Sequence, residues 1–196
     1  MSEAEPALAV RDLKEKMVDT YSNAPVDALL WCIGDREVYH YETEIGEIPV
    51  ADPDQDDRHL RHARNVKNLV EESGGPLTAL TGLCHDAGID LFPSIRMNSH
   101  YAADPNAATS GRFRREHPEL LIGRPGEEFA AGSLEWGVRT GVDYAHGDVR
   151  GHMLSVICEL FERFDIDGVE LDFMRHPTFF RPQDAYANRY LMTDML

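Results

Sequence analysis

The sequence predicts an α/β protein in which parallel strands are flanked by helices. Three observations predict it. Short, mostly apolar runs of the kind that form strands buried on both faces occur at Val26–Ile33, Ile89–Ile95 and Val169–Phe173. Segments whose apolar residues recur at spacings of three and four lie between them. Helix and buried strand therefore alternate, a pattern satisfied by parallel strands joined through right-handed helical crossovers.

In chain order, Val10, Leu13 and Met17 mark a helix between Pro6 and Tyr21, with Pro6 suited to its first turn and Ser22-Asn23-Ala24-Pro25 ending it. The first strand follows and is closed by Gly34-Asp35. A polar loop containing Val38-Tyr39-His40-Tyr41 leads to a helix from Arg58 to Glu72, with Leu60, Ala63, Val66, Lys67 and Val70 on one stripe; Ser73-Gly74-Gly75 stops it. Pro76 starts another helix through Ala87, with Gly88 where a C-cap is wanted, and the second strand follows. Residues 102–140 hold five glycines and little periodicity, which predicts a long excursion with one short helix near Phe113–His117. A strong helix from Gly147 to Arg163 turns Val149, Met153, Val156, Ile157, Leu160, Phe161 and Phe164 inward. Asp165-Ile166-Asp167-Gly168 leads into the third strand, and a last helical pattern runs from Pro182 to Leu196.

A chain of 196 residues, 42% apolar, can bury one sizeable core, and no repeat or second domain interrupts it. Sequential parallel strands suggest a (β/α)8 (TIM) barrel, yet three strands cannot close one and eight usually need about 250 residues. The expectation is a single, partial barrel domain over residues 1–196, truncated at its C-terminus and short of one strand at its N-terminus. No stretch is long and apolar enough to span a bilayer. The opening MSEAEPALAVRDLKEK has no apolar core of a secretory signal, which makes the cytoplasm the default and leaves the compartment open. Cys32, Cys84 and Cys158 lack zinc-ligand or CxxC spacing, so three buried thiols are expected. The net charge of −16, from 35 acidic and 19 basic residues, argues against a nucleic-acid partner. Only Lys14, Lys16 and Lys67 are lysines; a salt-adapted surface and an acidic mesophile with a GC-rich genome explain this equally well.

In the third strand Val169, Leu171 and Phe173 alternate with Glu170 and Asp172, which places both carboxylates on one face with Cα atoms about 6.5–7 Å apart. Acids at the carboxyl end of a parallel strand occupy the position where such folds carry their active sites. Asp172 is the expected nucleophile or base and Glu170 a neighbour that tunes it; alternatively Glu170 pairs with Arg175 or Arg96 and braces the loops. Residues at the other strand ends complete the expected carbohydrate mouth: Trp31 and Arg36, then Arg96, Asn98 and His100, then Arg175 and His176. Trp31 reads rather as a core aromatic in a buried strand, and His100 rather as a solvated loop residue. Asp143 and Tyr144, before the long helix, contact substrate on the functional reading, or Asp143 organises the turn. No HxH or HExxH motif is present, and neither metal nor cofactor is expected.

Gly141–Pro177, GVDYAHGDVRGHMLSVICELFERFDIDGVELDFMRHP, resembles the core of the glycosyl-hydrolase-like family ten proteins. Asp148-Val149-Arg150 matches that family's helix start and DGVELDFMRHP its strand, while VDALLWCIG and GIDLFPSIRMNSHY are similar to the two preceding strands. The resemblance implies a (β/α)8 barrel that hydrolyses glycosidic bonds of a polysaccharide or oligosaccharide, with the strand acid on Asp172. The family's second acid falls on Phe173, and the catalytic Glu of a chitinase-type DGxDxDxE strand falls on Met174. A barrel that binds glycans without turning them over therefore stands as the alternative expectation.

Overall fold

In a computed structural model the protein is described over residues 7–22, 24–51, 56–100 and 110–195. Pro6 as a helix start, residues 102–109 of the excursion and Leu196 lie outside the described residues. The first helix, α1 (Val10–Leu13), continues as a π-helical turn over Lys14–Val18. Strand β1 (Ala28–Cys32) follows, then a small hairpin of β2 (Gly34–Asp35) and β3 (Val38–Tyr39). Helices α2 (Asp57–Ser73) and α3 (Pro76–Asp86) lead to β4 (Asp90–Arg96). The excursion holds α4 (Arg112–Glu116), a 3-10 turn (Pro118–Leu120) and α5 (Leu134–Val138). Helix α6 (Gly147–Arg163) precedes β5 (Glu170–Asp172), and the C-terminal helical pattern is split into α7 (Ala185–Asn188) and α8 (Tyr190–Met195).

The principal sheet has three parallel strands in the order β1-β4-β5. Cys32 lies beside Ser94, Ser94 beside Glu170 and Arg96 beside Asp172. Alternation along these strands sorts the side chains. Leu29, Trp31, Ile33, Leu91, Ile95, Met97, Leu171 and Phe173 pack into one core with Leu69, Leu77 and Leu80 of α2 and α3 and with Val149, Met153, Val156 and Leu160 of α6. The opposite face carries Leu30, 52% exposed, with Cys32, Ser94, Arg96, Glu170 and Asp172. Consecutive strands that add in one direction through crossovers of one hand place their helices on one side, and the core shows that side.

The helices follow their sequence signals with instructive departures. Asp56 caps α2 by accepting from the His59 N–H, and Gly74 ends it in the left-handed conformation at φ 78°. Its buried stripe is Ala63, Val66 and Leu69, while Lys67 turns outward toward Glu71. On α6 the buried stripe of Val149, Met153, Val156 and Leu160 leaves Phe161 53% exposed and turns Glu159 inward. That carboxylate accepts from the Tyr41 and Thr43 hydroxyls, the Glu44 N–H and Arg163, tying the loop after β3 to the helix. Cys84 is buried and Cys32 half-buried, but Cys158 is exposed, in contrast to the expected three buried thiols.

The polar loop expected after β1 contains a tight hairpin whose turn residues Arg36 and Glu37 both have positive φ, 51° and 61°. Two such non-glycine residues cost roughly 1–3 kcal/mol each. Glu37 is 3% exposed, and both its carboxylate oxygens accept from the Arg114 Nε, at 2.8 and 3.1 Å. Arg114 Nη1 donates to the Ser99 and Thr140 carbonyls, so one guanidinium joins the hairpin, the segment after β4 and the end of the excursion. Gly111 allows this approach: a Cβ there would lie 2.6 Å from the Glu37 Cβ and 2.7 Å from the Arg36 carbonyl oxygen.

Gly111→Ala is accordingly expected to lower the unfolding free energy by about 1–3 kcal/mol through overpacking. Gly82→Ala, in open space on α3, is expected to raise it by up to about 1 kcal/mol. Urea unfolding of both variants checks this; equal midpoints would contradict the close approach at Gly111.

Candidate functional site

The carboxyl ends of β1, β4 and β5 lie side by side, and the residues that follow them form one edge. Asp35 is its centre. Its Oδ1 accepts from Arg36 Nε at 3.0 Å, and its Oδ2 from Arg96 Nη1 and the Ser99 hydroxyl, each at 3.2 Å. Burial pushes the Asp35 carboxyl up, but the Arg36 and Arg96 guanidiniums and the Ser99 hydroxyl outweigh it and hold the group below its usual range. Asp35 is therefore an ionised carboxylate that fixes Arg96. It was not among the residues expected at the site, although its place directly after a strand was the available signal.

Asp172 sits beside Arg96 across the β4–β5 pairing. One carboxylate oxygen, Oδ1, accepts from the backbone N–H groups of Met174 and Arg175, at 3.0 and 2.8 Å, which leaves Oδ2 without a hydrogen bond among the described residues. Glu170 shares its face, half-buried, and takes no hydrogen bond or ion pair among the described residues. Arg96, one of the partners considered for Glu170, is engaged by Asp35 instead.

His100 and His176 meet at the same edge, with His176 Nδ1 3.3 Å from His100 Nε2 and the rings edge to face. Burial lowers His176 to about 4, helped by His100 and Arg175, and burial likewise lowers His100. On the β1 side, burial and the neighbouring His62 bring His40 down to about 4. These imidazoles are neutral near pH 7.

Other expected site residues lie beneath the edge. Asn98 is 1% exposed; its amide donates to the Val142 and Thr178 carbonyls and accepts from the Val142 N–H, binding the β4 end to the loops on either side of α6 and β5. Tyr144 is fully buried and donates its hydroxyl to the Met97 carbonyl. Asp143, 1% exposed, accepts from the Ala145 N–H and faces Arg124 and His146 at 3.7 and 3.9 Å. Trp31 points to the helix-covered face and packs against the core near His40, on the side opposite Glu170 and Asp172. Arg175 is exposed at the β5 end. Phe173 packs into the core near Phe179, and Met174 is 81% exposed. Among the described residues no three His, Cys, Asp or Glu side chains form a metal-binding group, and no helix is long and apolar enough to cross a membrane.

Beside Asp35 a cavity of about 510 Å³ opens between the hairpin and the start of α2, lined by Cys32, Arg36, His40, Arg58, His62 and Arg96, among others. No protein-family model matches the chain, and no curated protein matches it.

The depressed histidines set a pH dependence. An unfolded chain protonates His40 and His176 near the ordinary value of 6.5, whereas the folded chain does so only near 4. Their contribution is whole above pH 6.5 and is lost progressively as the pH falls from 6.5 to 4. Unfolding free energy is expected to fall by roughly 2–5 kcal/mol over that interval on their joint account. Imidazole NMR titration checks the cause, with both rings still neutral at pH 5.5; protonation at 6.5 would contradict it.

Proposed function

We propose that the three strands and their helices are part of the wall of a (β/α)8 barrel, and that their carboxyl edge is a site for hydrolysing glycosidic bonds. The observation that carries this reading is the placement of Asp172. Toward the carboxyl ends its face of the sheet carries Ser94, Arg96 and Glu170 while the other face is packed under helices, and Asp172 stands at the strand end beside a fixed arginine. A carboxylate with one oxygen held by two N–H groups and the other not hydrogen-bonded among the described residues is pre-oriented to act on a bound sugar. Arg96, locked by Asp35, supplies planar hydrogen bonding to hydroxyls, and His100 and His176 lie alongside. Glu170 lies further down the same strand on the same face and takes no partner among the described residues. The resemblance of Gly141–Pro177 to the glycosyl-hydrolase-like family ten proteins supports the same reading.

A second reading, glycan binding without turnover, is favoured by one specific arrangement. Glycoside hydrolysis uses two carboxyl groups, one to protonate the leaving oxygen. The positions where the resemblance seeks further acids are Phe173, packed inward, and Met174, exposed, while Asp35 is held ionised by arginines.

Release of reducing ends from a polysaccharide panel separates the two. On the hydrolase reading the chain acts on at least one member and Asp172→Asn lowers kcat by about a hundredfold or more. Full activity in Asp172→Asn would overturn the assignment, and glycan binding with no hydrolysis would leave the second reading.

A further inference from the structure

The cavity between the β2–β3 hairpin and α2 has a charge opposite to that of the molecule around it. Acidic residues outnumber basic ones 35 to 19 in the chain. Among the described residues the cavity lining instead includes Arg36, Arg58, Arg96, His40, His59 and His62 against one carboxylate, Asp35. That carboxylate is already shared between Arg36 and Arg96. Outside the lining, the α2 cap Asp56 engages His59 at 2.7 Å. Arg58 is exposed and takes no ion pair among the described residues. The His40 and His62 rings meet edge to face, 4.2 Å between centroids, and His62 Nε2 is buried with no hydrogen-bond partner among the described residues. An unsatisfied buried ring nitrogen costs free energy, and a pair of imidazoles at this distance repels a second proton unless an anion accompanies it. Val38, Pro49 and Val50 supply an apolar rim, with Val50 73% exposed.

We propose that this cavity binds the acid group of an anionic sugar, a carboxylate or a phosphate ester, with Arg58 and His62 as its direct contacts. The inference rests on the carbohydrate reading of the adjoining edge and names the class of sugar it takes: one whose oxyanion enters the basic pocket while its ring lies toward Arg96. Arg58 supplies a guanidinium suited to two-point recognition of an oxyanion. His62 donates from Nε2 once protonated, and His40 stands behind it. The volume of about 510 Å³ is large enough for the acid end of a monosaccharide acid.

Binding then takes up a proton, because imidazoles that are neutral in the empty pocket become cationic beside the oxyanion. The groups facing them are Asp35 and Arg96 from the strand ends and His59 on α2.

Isothermal titration of the chain with glucuronate, glucose 6-phosphate, inorganic phosphate and glucose tests the proposal. Glucuronate or glucose 6-phosphate is expected to bind, at least tenfold more tightly than glucose and several-fold more tightly at pH 6 than at pH 8. Whichever binds more tightly identifies the acid group as carboxylate or phosphate. Arg58→Gln, at an exposed position, is expected to weaken binding about tenfold, as is His62→Gln. Equal binding of glucose, no pH dependence, unchanged affinity in Arg58→Gln, or inorganic phosphate binding as tightly as the sugar acids would overturn it. Hydrolysis of neutral glycans by the same preparation would stand regardless, so the two readings fail separately.

Discussion

The ion pair between Glu37 and Arg114 is the constraint on which the carboxyl edge depends. Burying two charges costs several kcal/mol per ion unless each finds full hydrogen bonding. Here both Glu37 oxygens accept from Arg114, and the guanidinium also reaches the Ser99 and Thr140 carbonyls. The pair holds two adjacent non-glycine residues in the left-handed region, and that turn sets Asp35 facing Arg96 and Ser99. Without it the hairpin has only two residue pairings of its own. The polar cluster at the strand ends is thus fixed from behind, by groups that do not face the edge themselves.

Asn98 does for the other half of the edge what Arg114 does for the first. Its amide closes hydrogen bonds to residues 44 and 80 positions away, so the end of β4 holds the loop before α6 and the loop after β5 together. The outcome is a division of labour across a few ångströms. Buried polar side chains satisfy loop backbone, and the half-buried Arg96, Asp172 and His100 remain at the surface.

Periodicity made the long elements legible, because α2, α3, α6 and β4 bury a face against one core and their sequences carry that face. It failed where burial is decided by a single turn. Phe161 is one residue from Leu160, a rotation of about 100° on a helix, and so lies outside the stripe that Leu160 completes. The N-terminal helix loses its regular form to a π-helical turn that no spacing signals. At the edge, the strand-end rule pointed to Arg96, His100, Asp172 and His176, which the fold brings near the ends of β4 and β5. It could not distinguish Asn98 and Tyr144, which the backbone carbonyls consume, from residues facing outward. Glu37 and Arg114 were illegible for a different reason: 77 residues separate them, and no local spacing signals a pair that the fold alone brings together and buries.

The edge departs from the electrostatics of the whole. A chain of net charge −16 concentrates arginines and neutral histidines at the ends of its parallel strands and beside the hairpin. In such a molecule a cationic recess focuses the field on small anions, and the proposed sugar chemistry draws on that contrast. The most direct measurement of the account is a double-mutant cycle on Glu37→Gln and Arg114→Met, read by urea unfolding. Buried partners that hold one another predict a coupling energy of at least about 1.5 kcal/mol, the double variant recovering much of what either single change loses. Additive losses would contradict the pair as the support of the edge.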